Sequence, residues 1–173
     1  MIAEIGHMAL IAAFLVAGAQ AVLPLWGASK GDSRLMLLGD RAALLQCALT
    51  VTAFAALTVS FLQSDFSVKL AASHSHTAKP MLYKISGVWG NHEGSMLLWV
   101  VMLTVFGALV PVFGKALPSG LKARALAVQG MMGMGFLAFI LFTSNPFERL
   151  NPVPLDGMGL NPLLQDPGLA LHP

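Results

Sequence analysis

Three short stretches of the 173-residue sequence carry side chains that could do chemistry. In Ser73-His74-Ser75-His76 two imidazoles sit two residues apart, a spacing that could chelate a soft metal only in an extended segment. With no cysteine or carboxylate beside them, a solvated loop is the competing reading. Trp89-Gly90-Asn91-His92-Glu93-Gly94-Ser95 joins a flat aromatic, two glycines, an imidazole and a carboxylate directly before an apolar run. Asn91 or Ser95 could cap a helix there, with Glu93 favoured at its positive end. The alternative is that Trp89, Asn91, His92 and Glu93 line an outer ligand pocket. Lastly, His172 precedes Pro173, which pushes it out of the α region into an extended conformation. An imidazole on such a corner is either an ordinary surface side chain or a metal ligand, haem iron being one metal that neutral imidazole takes.

These stretches must be held by something, and the composition says what. Hydrophobic residues make up 56% of the chain and charged ones 10%, with a mean hydropathy of +0.73. That is too apolar for a soluble domain of this size and points to an all-α polytopic membrane protein. The net charge of +2 is small and the basic residues are scattered, which argues against a nucleic-acid partner. Cys47 is the single cysteine, so no internal disulfide can form; amid apolar neighbours it reads as a small buried hydrophobe. Met1 to Ile5 carry no lysine or arginine, so the first apolar segment lacks the basic start of a cleaved signal and is expected to stay. No repeat or low-complexity segment is visible.

A spanning helix needs roughly 20 apolar residues. Four stretches qualify, at about 5–25, 42–62, 95–113 and 123–142, with no Lys, Arg, Asp, Glu or His inside them except His7 and Arg124 near the ends. Gly6, Ala13, Ala17 and Ala21 would let a neighbouring helix approach the first span closely, and Pro24 is expected to end or kink it. Residues 143–173 form a second region. Pro146, Pro152, Pro154, Pro162, Pro167 and Pro173 bar a long helix and place it outside the hydrocarbon. Within it, Asp166-Pro167 reads as a cap and first position for one short turn through Leu171.

Lysine and arginine then orient the spans. Lys30, Arg34, Arg41, Lys115, Lys122 and Arg124 lie in or beside the first and third connections, against Lys69, Lys79, Lys84 and Arg149 in the second connection and the tail. The bias puts the short basic connections inside. The N-terminus, residues 63–94 and the tail share the outer face, so His74, His76, Trp89, Asn91, His92, Glu93 and His172 fall on one side.

Three long motifs carry a resemblance: Trp89-Gly-Asn-His-Glu-Gly-Ser-Met-Leu-Leu-Trp99, Phe139-Ile-Leu-Phe-Thr-Ser-Asn-Pro-Phe147, and Leu160-Asn-Pro-Leu-Leu-Gln-Asp-Pro-Gly-Leu-Ala-Leu-His-Pro173. With Glu4-Ile-Gly, Pro24-Leu-Trp-Gly27 and Asp65-Phe66 in the same order, the whole chain resembles the N-terminal portion of the CcmF family. That family is the membrane haem lyase of the multi-subunit cytochrome c maturation system. The resemblance implies haem delivered by a periplasmic haem chaperone, attached through thioether bonds to the CxxCH cysteines of apocytochrome c, with thiol-handling maturation subunits as partners in the bacterial inner membrane. In the family an outer-loop histidine before the WWD segment is an axial ligand to the transferred b-type haem, and His172 matches that position.

Family members are several times longer. The WWD segment, the second outer histidine and the histidines that would hold a resident b-type haem are all missing from this sequence, which is expected to be a fragment, a split product or part of a longer chain, and inactive alone. The rivals are a paralogous lyase for a dedicated cytochrome c of the nitrite reductase type, a polytopic transporter, and a scaffold subunit. A transporter should place ionisable groups at mid-membrane depth, where this chain offers Gln20, Gln46, Gln129 and threonines.

Overall fold

The computed structural model describes residues 1–162 and Gly168. His172, and the turn expected after Asp166-Pro167 apart from Gly168, lie outside the described residues. Six helices follow in order: α1 (Ile2–Lys30), α2 (Ser33–Leu62), α3 (Lys69–His74), α4 (Met81–Ser86), α5 (His92–Phe113) and α6 (Ser119–Phe142). α1, α2, α5 and α6 are long and apolar enough to cross a membrane, and no strand is present among the described residues, only a single bridge between Val68 and Arg149.

α1 extends past its apolar window at both ends and α2, α5 and α6 only at their N-terminal ends, where the added residues are more polar; α2, α5 and α6 stop at Leu62, Phe113 and Phe142. α1 and α2 form a tight antiparallel hairpin. Gly31 takes a left-handed φ of 70°, which a Cβ would disfavour. The Asp32 carboxylate then caps α2 by accepting from the amides of Arg34 (2.8 Å) and Leu35 (3.4 Å). Pro24 does not end α1, which runs on to Lys30. Its ring packs against Gly39, where an added Cβ would lie 2.8 Å away. Proline inside a spanning helix is tolerated when a neighbour supports it in this way.

Small residues set the helix spacing, since lipid provides no hydrophobic drive for helix association and backbones must approach closely. The buried stripe of α1 includes Ala3, Gly6, Ala9, Ala13, Ala17 and Ala21. Gly130 of α6 lies against it so closely that a Cβ would come within 2.8 Å of the Ala21 amide nitrogen. α1 packs on α2 and α6, and α5 completes the bundle against those two. Leu10, Leu57, Phe61, Leu97, Leu137, Ile140 and Phe147 fill the core.

A belt of polar side chains crosses the bundle. The Gln20 amide donates to the Leu126 carbonyl (3.0 Å) and to Gln129 Oε1, and Gln129 donates to the Leu103 carbonyl (3.3 Å). Thr50 and Thr104 share a 2.7 Å hydroxyl bond between α2 and α5. Glycines make room for the amides: a Cβ on Gly107 would strike Gln129 at 2.5 Å, and one on Gly133 would strike Gln46 at 2.7 Å.

Candidate functional site

The end of the bundle that carries α3, α4 and the tail begins at the start of α5. Asn91 is its cap: the side-chain oxygen accepts from the Gly94 amide (2.7 Å), and the nitrogen donates to the Gly87 (2.7 Å) and Val88 (3.1 Å) carbonyls. One amide thereby closes both the end of the α4 turn and the first turn of α5. A Cβ on Gly94 would sit 1.6 Å from the Val88 carbonyl oxygen, so only glycine fits. Glu93 stands half-buried in that first turn, where the helix dipole favours a negative charge. Trp89 is partly buried against the core.

His92 is exposed and sets its ring edge-on to Phe139 of α6, centroids 6.0 Å apart. One turn further in, Met96 opens a groove of about 430 Å³ whose other walls are Met131, Met132, Gly135, Phe136 and Phe139. The site residues expected near position 90 are therefore brought together, with divided duties. Asn91 is committed to backbone and Trp89 packs against the core, while His92 is exposed and Glu93 half-buried.

Sequence reasoning missed how firmly the tail is fastened to residues 63–92. Backbone bonds run from Lys69 N to the Glu148 carbonyl (2.8 Å), Leu150 N to Ser67 (2.9 Å), Met158 N to Ala72 (2.7 Å) and Gly159 N to Ser75 (3.0 Å). Arg149 donates to Glu4 at the start of α1 and to Asp65 (3.3 Å) and Ser67 beyond α2. Lys69 pairs with Glu148 at 3.0 Å. Partial burial works against the Arg149 charge, but the hydrogen bond and charge of Glu4, and those of Asp65, outweigh it and hold the guanidinium above its ordinary range. Asp156 accepts from the Thr77 amide (3.0 Å) and hydroxyl (2.8 Å), and His76 Nε2 lies 3.3 Å from its other oxygen. The Thr77 amide bond, then that of Gly157, lowers the Asp156 carboxyl below its usual value. The only sequence signal for these contacts was the turn-forming composition of the tail.

The histidines divide accordingly. His7 faces the Asn145 amide at 3.3 Å. His74 ends α3 with Nδ1 3.2 Å from the Leu70 carbonyl, and His76 Nδ1 accepts from the Ala78 amide at 3.2 Å. The 73–76 stretch is thus built into the fold, with Ser75 fully buried, rather than a solvated loop. Among the four described histidines, His92 alone has neither ring nitrogen in a described hydrogen bond, which leaves its lone pair available to a metal ion or a hydrogen-bond donor. No group of three metal-ligating side chains occurs among the described residues.

Comparison with known proteins decides what this end of the bundle belongs to. A family model described as cytochrome C assembly protein matches residues 89–173. The cytochrome c-type biogenesis protein ccl1 of Rhodobacter capsulatus is 62% identical over the whole chain, and CcmF of Pseudomonas aeruginosa is 51% identical over the same extent. The chain belongs to the CcmF family of cytochrome c-type biogenesis proteins. It spans about a quarter of those relatives' length, 26% in each case. A solved structure titled Cytochrome c Heme Lyase CcmF superposes with a TM-score of 0.79 at 25% identity, covering 88% of this chain and 26% of that one. The fold is therefore a CcmF-family architecture, and the family-model match over residues 89–173 contains every motif residue at the start of α5.

Proposed function

We propose that this chain forms part of a membrane haem lyase, with residues 1–142 as its membrane region and 143–173 as an outer loop leading to the haem-handling segment. The full-length protein accepts haem from a periplasmic haem chaperone and promotes its thioether attachment to the CxxCH cysteines of apocytochrome c, in company with thiol-handling subunits. The haem is substrate; a resident b-type haem would use histidines outside this chain. The N-terminus, residues 63–94 and the tail face the periplasm of the bacterial inner membrane, in line with the basic short connections at the opposite end.

The observation that carries this reading is the stitching of the tail onto the outer loops. A ligand that must hold a large flat substrate against a second protein gains most from a base that does not move, because orienting reactants replaces a costly search. Residues 145–159 are anchored through backbone bonds and the Arg149 network, and His172 comes later in the same tail of the sequence. In this reading His172 takes one axial position of the haem iron and acts as a positioning ligand. Each thioether forms by addition of a cysteine S–H across a vinyl group, so no leaving group is required. His92, Glu93 and Trp89 shape the outer pocket.

The test is the haem absorption spectrum of the full-length protein, with and without His172→Ala, after exposure to the haem donor. Loss of outer-site haem with any membrane haem retained supports the assignment. Unchanged binding and unchanged cytochrome maturation overturn it.

A further inference from the structure

At the opposite end of the bundle the charges do not balance. Lys30, Arg34, Arg41, Lys115, Lys122 and Arg124 face two carboxylates, Asp32 and Asp40. Asp32 is spent on capping α2. Asp40 is taken by Lys122 at 2.6 Å, in a largely buried pair. Arg124, exposed on α6, has no described ion pair.

Beside it, a cleft of about 450 Å³ opens between α1 and α6, lined by Ala21, Val22, Leu25, Trp26, Ser29, Arg124 and Met131. Its shape follows from the packing. Gly130 holds the two helices in backbone contact at Ala17 to Ala21, and the cleft lies between the segments that continue from that crossing toward the basic end. Its walls are apolar where they run into the bilayer. At its mouth Arg124 and Trp26 stand together, and the Lys30 ammonium lies 4.8 Å from the centre of the Trp26 ring. Indole rings and long cations at this depth mark the headgroup level.

We propose that this cleft is a binding site for an anionic phospholipid. Arg124 and Lys30 hold the phosphate, and one acyl chain lies along Val22, Leu25 and Met131. The Ser29 hydroxyl already donates to the Trp26 carbonyl at 2.8 Å and takes no part. Charge complementarity selects the occupant: two cations without a carboxylate partner, above an apolar groove, match a molecule that is anionic at one end and hydrocarbon along its length. A soluble anion would leave the groove unused, and a zwitterionic lipid would add a cationic group beside Arg124 and Lys30.

Full-length protein, stripped of lipid and placed in nanodiscs of phosphatidylcholine with or without phosphatidylglycerol, tests this by native mass spectrometry of retained lipid. The wild type is expected to retain phosphatidylglycerol preferentially. Arg124→Gln should weaken it about fivefold, and adding Lys30→Gln about fivefold again, while Arg124→Lys keeps most of the binding. Val22→Trp, at a lipid-exposed position, should block the acyl groove with both charges intact. An unchanged thermal midpoint in pure phosphatidylcholine shows that the variants are folded. Equal retention of both lipids, indifference to Arg124→Gln, or displacement by inorganic phosphate at matching concentration would each overturn the proposal.

Discussion

In the membrane layer Gln20, Gln46, Thr50 and Thr104 are fully buried, whereas in the layer of loops and tail Glu4, Lys69, Glu148 and Asp156 remain exposed in their ion pairs. The first layer has few polar groups and nowhere for an unpaired one to turn. The second has many, its ion-paired ones within reach of water, and places its chain instead by backbone bonds between the tail and the loops. Surface ion pairs are worth roughly 0–1 kcal/mol, while overpacking a close contact costs about 1–3 kcal/mol or more. Backbone approach should therefore govern stability in both layers, and charge should matter little in either.

The strongest test adds a small side chain where backbones touch. Gly130→Val in the bundle and Gly94→Ala at the start of α5 are each expected to cost about 3 kcal/mol, since both meet backbone atoms that cannot rotate away. Gly157→Val, whose Cβ would lie 2.1 Å from the Ser75 carbonyl, should instead free the tail and leave the bundle intact. Thermal unfolding in detergent together with limited proteolysis of residues 150–160 separates the cases. If Gly157→Val lowers the bundle's midpoint as much as Gly130→Val, the two layers are one cooperative unit and the contrast fails.

Next in size is the cap. Asn91→Ala removes three hydrogen bonds and should cost about 1–2 kcal/mol, read as the same midpoint, with Asn91→Asp recovering the bond to Gly94 alone.

The glutamines sharpen the comparison inside the membrane. Gln20→Leu strips the Leu126 carbonyl and Gln129 of their donor and should cost about 0.6 kcal/mol, at most about 1.7. Neither atom of the Gln46 amide has a protein partner among the described residues. Gln46→Leu is therefore expected to be neutral or stabilising, because it removes a buried polar group that no bond compensates. A loss larger than that of Gln20→Leu would show that the Gln46 amide is engaged in the assembled protein.

How far the sequence could be read follows the same division. Apolar length made the four spans legible, and the small-residue spacing of Gly6, Ala13, Ala17 and Ala21 foretold the close face of α1. Pro24, expected to end or kink α1, does not end it: its ring meets Gly39 of another helix, and local rules cannot see that contact. The motif at positions 89–95 could be recognised from its caps, but the commitment of Asn91 to three backbone groups depends on where the α4 turn ends. α3, α4 and the tail staples were invisible, since Arg149 meets Glu4 across 145 positions and no periodicity encodes such a meeting. What brought those segments together is the bundle itself, which sets the ends of α1, α2, α5 and α6 side by side.

The smallest expected effect concerns Lys79, half-buried in the layer of loops and tail with its ammonium 2.9 Å from the His74 carbonyl. Burial, and then the nearby Lys84 charge, lower it to about 8. An unfolded lysine titrates near 10.4. Below pH 8 both states are protonated, and the folded loop carries the whole cost of a partly dry cation. Between about 8 and 10.4 the unfolded chain binds the extra proton, so stability of the loop rises with pH across that window. Water still reaches the ammonium, which keeps the gain to about 0.5 kcal/mol. Amide protection of residues 75–83, corrected for the intrinsic pH dependence of exchange, should increase from pH 7.5 to 9.5 in the wild type and stay level in Lys79→Met. Equal slopes in the two proteins would place the titrating group elsewhere. A level wild type would mean that this layer, like its other charges, hardly registers whether this one is present.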